Sequence, residues 1–279
     1  MMRMTNRPKQ KVFLIIILFL LLLSDIKNAE AQSGGAMINS LPSNLIFPVP
    51  TGILFPSFAC AGGVNPAALS AAGKVASIQG SYTPGGGAYP KEFFGSLAAG
   101  SQKMGIGLGY LGESINGKLT SNAFIGAGFK IDPVNIGIGL RDFDISNKST
   151  PNVDLGLISG EGNGGGGGGL RFGFVVYNLN SPAQLDLGVG FSGGKKYNME
   201  INVLLPPFSG GTGSGNVVTV SGTVFAADII GLTFRTSYFT KPNTYEHTMG
   251  LSGWLSEAFN LFAQFSTPRV WTGGLMVTF

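Results

Sequence analysis

The side chains that most often do chemistry are few in this sequence, and they are poorly grouped. His247 is the only histidine. A serine hydrolase would need it as a base beside a nucleophile, with a carboxylate orienting the ring. Glu246 adjoins it, but neighbours in an extended chain point to opposite faces, so Glu246 cannot be that orienter. Asp142, Asp144 and Asn147 have a spacing faintly like a calcium loop. The glycine and distal glutamate of such a loop are missing, so a solvated loop is expected, with divalent-cation or lipopolysaccharide contact as the alternative. No Lys-Ser or Lys-Thr follows Gly164–Gly169, which makes it a flexible turn and not a phosphate cradle. Gly105, Gly107 and Gly109 recur inside a strand-like run and carry no dinucleotide meaning. Cys60 is a lone cysteine, which excludes an intrachain disulfide and suits a small buried apolar residue. No enzyme, cofactor or metal site follows from these residues.

The elements around them are far more regular. Apolar side chains alternate with small or polar ones over about ten residues, again and again, between Gly, Pro, Asn, Asp and Ser. Met104, Ile106, Leu108 and Tyr110 alternate with the three glycines above; Leu185, Leu187, Val189 and Phe191 alternate with Asp186, Gly188 and Gly190. Period two means a strand with one apolar face, and strands of ~9–11 residues suit a tilted transmembrane barrel. The spacing predicts about fourteen: 75–82, 92–99, 104–111, 119–131, 134–143, 152–159, 170–178, 184–192, 196–205, 216–227, 230–240, 244–254, 258–267 and 269–279. Twelve is the fallback count.

The last segment carries a stripe of its own. Trp271, Gly273, Leu275, Val277 and Phe279 share one face, with Thr272, Gly274 and Met276 on the other. The Trp271, Leu275, Val277 and Phe279 pattern resembles the C-terminal insertion signal of bacterial outer-membrane β-barrel proteins, which implies handling by the barrel assembly machinery. At the other end, Arg3, Arg7, Lys9 and Lys11 precede the apolar run Val12–Leu23, too short for a spanning helix, and Ala29-Glu30-Ala31 fits a signal-peptidase site. Residues 1–31 are therefore predicted to be a signal peptide. They hold five basic and two acidic side chains, so the remainder has 13 and 12 and a charge near +1. The basic pI thus gives no support to nucleic-acid binding, which needs a clustered basic face.

Loop lengths supply a separate check. Connections Thr83–Lys91, Gly112–Lys118, Asp144–Pro151 and Pro206–Gly215 are long, and Gly100–Lys103, Asp132–Pro133 and Gly193–Lys195 are short, with the alternation expected of outer loops and inner turns. Gly164–Gly169 and Thr267-Pro268 fit that alternation poorly. Residues 32–73 show little alternation; they are predicted to form a plug before a barrel of residues 74–279. Apolar clusters at Leu45-Ile46-Phe47 and Ile53-Leu54-Phe55 favour a buried plug.

Within that segment, Asn65-Pro66-Ala67 shortly before the first strand resembles the hatch element of the long-chain fatty acid transporter family of outer-membrane proteins. The resemblance implies a fourteen-stranded barrel, an N-terminal plug and passage of hydrophobic small molecules. This chain is shorter than typical members, so a ligand site built from long outer loops is not expected.

Alternation also assigns the inner face. Arg141, Asp154, Arg171, Asp186, Glu200, Arg235 and Glu246 point inward, together with Phe94, Phe124, Tyr177, Phe225, Phe239, Trp254 and Phe262. The aromatics either pack against the plug or line a route for an apolar ligand; inward glycines admit a backbone or ligand, or serve strand coiling. Two functions stay open: passive uptake of small hydrophobic molecules, and a narrow aqueous porin or structural barrel. Expected partners are outer-membrane lipid and lipopolysaccharide, and an apolar small molecule or detergent in the lumen. Gly105, Gly107 and Gly109 are the predicted place for a gap in the wall, with Asn65, Pro66 and Ala67 nearby.

Overall fold

The computed structural model describes residues 52–71, 74–84, 91–115, 118–143, 151–160, 169–180, 182–193, 196–206, 215–226, 229–241, 243–256, 258–266 and 270–279. The predicted signal peptide, residues 32–51 of the predicted plug, and Asp144 and Asn147 lie outside them. Among the described residues no helix is long and apolar enough to cross a membrane. The alternating segments instead form fourteen strands: β1 (Val75–Thr83), β2 (Lys91–Gly100), β3 (Met104–Ile115), β4 (Lys118–Ile131), β5 (Val134–Phe143), β6 (Asn152–Gly160), β7 (Gly169–Tyr177), β8 (Gln184–Ser192), β9 (Tyr197–Leu204), β10 (Val217–Ala226), β11 (Ile230–Phe239), β12 (Thr244–Trp254), β13 (Phe259–Ser266) and β14 (Val270–Thr278).

Each strand pairs antiparallel with its sequence neighbour, and β1 pairs with β14, so the sheet closes. Closure uses Ser77 opposite Thr278 through Tyr82 opposite Gly273, and the backbones of Ala76 and Phe279 exchange hydrogen bonds of 3.2 and 2.8 Å. A closed sheet has no unpaired edge, so its backbone polar groups are satisfied without water, as a bilayer core demands.

The outer face is apolar. Ile78, Leu97, Ile106, Ile125, Leu187 and Leu261 are exposed along its middle. Exposed aromatics gather at both ends: Phe129, Phe191, Phe259 and Phe279 at the end where β1 begins and β14 finishes, and Tyr82, Phe93, Tyr245 and Trp271 at the other. An aliphatic band between two aromatic girdles is the surface a membrane-spanning barrel presents to lipid and its two interfaces.

One loop expectation changes. The ladder of β3 and β4 runs on to Ile115 opposite Lys118, so only residues 116 and 117 separate strands where a longer Gly112–Lys118 loop was expected. Polar Glu113 and Ser114 continue the pairing although they break the apolar stripe, because backbone hydrogen bonds do not require one.

Candidate functional site

Residues 52–71 lie inside the wall. They form a short 3-10 turn (Phe58–Cys60), a helical turn α1 (Ala61–Val64) and another, α2 (Ala68–Ala71). Ile53, Leu54, Val64 and Leu69 are fully buried there. A path this tight has little regular hydrogen bonding of its own, so side chains must satisfy it. Asn65 does so at the exit of α1: its Oδ1 accepts from the Ala67 amide at 3.1 Å, and its Nδ2 donates to the Ile53 carbonyl at 2.9 Å. Tyr177 Oη donates to the Val64 carbonyl at 3.1 Å.

Glu200 provides the strongest clasp. Its carboxylate accepts the backbone amides of Ile53, Leu54 and Phe55 at 2.7, 3.0 and 3.1 Å. Arg171 grips the same turn from β7, donating to the Leu54 carbonyl at 3.3 Å and lying 4.8 Å over the Phe55 ring. Other inward charges pair within the wall. Arg141 meets Asp154 at 2.6 Å, Arg235 meets Glu246 at 3.6 Å, and Asp186 accepts from Asn202 at 2.8 Å.

Inward glycines mark where the segment presses on the wall. A β-carbon at Gly126 would stand 2.7 Å from Gly62 Cα, and one at Gly128 3.0 Å from the Ser70 amide. At Gly105 it would collide with the Leu69 carbonyl, at Gly137 with Pro66 and Ala67, and at Gly156 with the Asn65 side chain. These glycines let one backbone lie against another. Asn65, Pro66 and Ala67 thus sit against β4, β5 and β6, while Leu69 and Gly62 face β3.

The expected gap in the third strand is absent. Gly105 to Ser114 pairs without interruption with β2 on one side, and Met104 to Ile115 with β4 on the other. Gly105 and Gly107 receive the inner segment, and Gly109 makes room for the Phe124 ring, so their small size is used inward without breaking the ladder. Among the described residues, a register shift lies between β4 and β5, at Ala123/Phe124.

The predicted inward aromatics divide into two groups. Phe94 and Phe124 stack at 6.4 Å and pack with Cys60 and Val64. Tyr177 and Phe239 belong to the cluster that holds Ile53, Leu54 and Leu69. Phe225, Trp254 and Phe262 instead line a cavity of about 240 Å³ between residues 55–58 and the wall of β9–β14 and β1. Its polar lining comes from hydroxyls and amides, among them Ser77, Gln79, Asn198, Thr233, Asn260 and Gln264. Among the described residues, none of those lining it carries a charge.

The cavity's polar residues were not singled out in the sequence, although alternation along β1 puts Ser77 and Gln79 inward. Glu200 was expected inward, but its partners lie in a segment without period. Of the predicted assembly residues, Trp271, Leu275 and Phe279 are exposed on the outer face and Val277 is half-buried. His247 is exposed on the outside against Thr236 at 3.1 Å, and Glu246 faces in.

No family model and no curated protein matches the sequence. Among solved structures, the CymD monoaromatic hydrocarbon channel shares the fold, with 9% identity, TM-score 0.51, and 82% of this chain and 93% of that chain covered. A triple mutant of the Rhodopseudomonas blastica porin gives 10% identity and TM-score 0.42 over 74% of this chain and 98% of its own. At such identities the likeness speaks of fold alone.

Proposed function

We propose that this barrel sits in the outer membrane of a Gram-negative bacterium and passes small hydrophobic molecules without an energy source. The observation that carries this is the cavity: an uncharged, aromatic-lined space held between the inner segment and one side of a closed wall. Charged solutes lose hydration in such a space without compensation, whereas apolar ones gain by entering it. The segment of residues 52–71 acts as the plug, with Asn65, Pro66 and Ala67 seating it against the glycine face. Phe225, Trp254 and Phe262 line the route; Phe94, Phe124, Tyr177 and Phe239 hold the plug. The likeness to a channel described for monoaromatic hydrocarbons is in keeping with this reading.

Uptake of radiolabelled toluene by Gram-negative cells with and without the chain tests the proposal, alongside conductance in a planar bilayer. Faster uptake with little ion current is expected. Large steady currents without enhanced uptake would make it an aqueous pore, and neither would leave a structural barrel.

A further inference from the structure

Three side chains on the cavity wall have polar atoms that no described residue satisfies. Ser77 Oγ, Gln79 Nε2 and Gln264 Oε1 lack hydrogen-bond partners, although these residues are only 2%, 1% and 7% exposed. A buried amide or hydroxyl left unpaired costs on the order of 1–3 kcal/mol, so protein interiors rarely tolerate three around one space. Gln79 cannot simply turn away. Its Oε1 accepts from Ser57 Oγ at 2.9 Å and from Cys60 Sγ at 3.6 Å, which fixes the amide and leaves Nε2 as an unused donor. Gln264, on β13, lines the same cavity and holds an unpaired acceptor.

From these atoms we infer that the cavity is a binding site for a neutral molecule with an apolar ring-sized body and one hydroxyl- or amide-type head, the head bonding to Gln79 or Gln264. This rests on the channel reading above and narrows its substrate class. Size agrees: an apolar cavity of ~150 Å³ takes a benzene ring, so about 240 Å³ leaves room for a short polar substituent. Charge disfavours a carboxylate. Among the described residues, Arg235 on this side is committed to Glu246, and Arg171 on β7 to the Leu54 carbonyl and the Phe55 ring. The ring would lie among Phe225, Trp254 and Phe262, where offset or edge-on aromatic contacts are favourable.

Binding of toluene, benzyl alcohol and benzoate to the full chain in lipid nanodiscs, followed by saturation-transfer NMR with empty nanodiscs subtracted, tests the inference. Benzyl alcohol should bind about tenfold more tightly than toluene, and benzoate should show no saturable binding. Gln264→Leu, at a side chain with no hydrogen bond to residues 52–71 among the described residues, should bring the affinity for benzyl alcohol close to that for toluene. Gln79→Leu should act likewise if the barrel keeps its heat-modifiable migration. Equal affinities for the three probes, unchanged preference in both variants, or no saturable binding, with water alone in the cavity, would overturn the assignment. Cellular uptake separates this from the channel reading: uptake without preference removes the site and leaves the channel, while preference without uptake removes the channel and leaves the site.

Discussion

The two sides of this barrel are built from the same alternating pattern, yet they treat their interior differently. From β3 to β8 the inward positions are rich in glycine, including Gly105, Gly107, Gly126, Gly128, Gly137 and Gly156, and the inner segment lies directly on them. From β10 to β14 the inward positions carry Phe225, Thr233, Trp254, Phe262, Gln264 and Met276, and a cavity is left beneath. Both sides have an apolar exterior, so lipid does not explain the contrast. What differs is how far the wall's own side chains reach inward. Without side chains the wall accepts a backbone; with them it holds that backbone off and encloses a space. Docked segment and cavity are thus complementary results of one asymmetry.

The most severe way to break the contrast is to give the glycine side a side chain. Gly126→Val places a branched carbon where Gly62 backbone already stands. Overpacking costs about 1–3 kcal/mol, and this site belongs at the upper end because neither backbone can rotate away. The segment should be displaced, seen as protease cleavage within residues 52–71 and a lower midpoint for heat-modifiable gel migration. Gly95→Ala is the matched control, since an added β-carbon there meets nothing within 4 Å. Equal behaviour of the two variants would mean that the segment does not depend on the glycine face.

Next in size is the clasp. Glu200→Gln keeps shape and volume, but it leaves one carbonyl oxygen where two carboxylate oxygens took three amides. Losing charge-assisted bonds to buried amides should cost the segment about 2 kcal/mol. Deuterium exchange at Ile53, Leu54 and Phe55 would rise by more than tenfold, with the strand amides unchanged. Unchanged exchange at those three positions would show that Arg171 and packing suffice.

On the cavity side the same kind of change should be mild for stability and marked for function. Trp254 is half-buried and lines the space. Trp254→Ala should lower barrel stability by less than about 1 kcal/mol, because surface-like positions away from tight packing tolerate truncation. It should widen the range of compounds taken up, with naphthalene-sized molecules entering at rates near those of single rings. A rate profile unchanged from wild type would place the route elsewhere.

How much of this contrast could be read in advance depends on period. The strands were legible almost to the residue, because a wall with lipid on one face must alternate: β5, β8 and β12 span 134–143, 184–192 and 244–254 as expected. The inward lists followed from the same rule. The segment inside was legible only as something apolar before β1, since its turns are set by contacts such as Asn65 with Ile53 that have no repeating spacing. Glycine was the ambiguous letter. Gly105, Gly107 and Gly109 suit a gap, a coil or a docked backbone equally well until the docked backbone is located. Glu200 looked like any lumen carboxylate, because its partners lie 145 to 147 residues earlier.

The smallest expected effect sharpens the comparison without altering packing. Cys60 sits on the inner segment, fully buried beside Phe94 and Phe124, and burial pushes its thiol up to about 12. The thiolate is the reactive form, so at neutral pH the folded protein should resist maleimide for hours. The sign of the pH dependence follows from the raised value. The unfolded thiol ionises near pH 9 and the buried one only near 12. The stabilising preference for the neutral thiol is therefore present in full below pH 9. It is lost as pH rises toward 12, at about 1.4 kcal/mol per unit. Labelling should be negligible at pH 7 and climb steeply above pH 9 as the segment loosens. Glu200→Gln should shift that climb to lower pH, and Trp254→Ala should not move it, because only the first variant removes a hold on the inner segment. If both variants moved it equally, the two sides of the barrel would be coupled through the inner segment. The cavity would then be part of that segment's own packing and not an independent space.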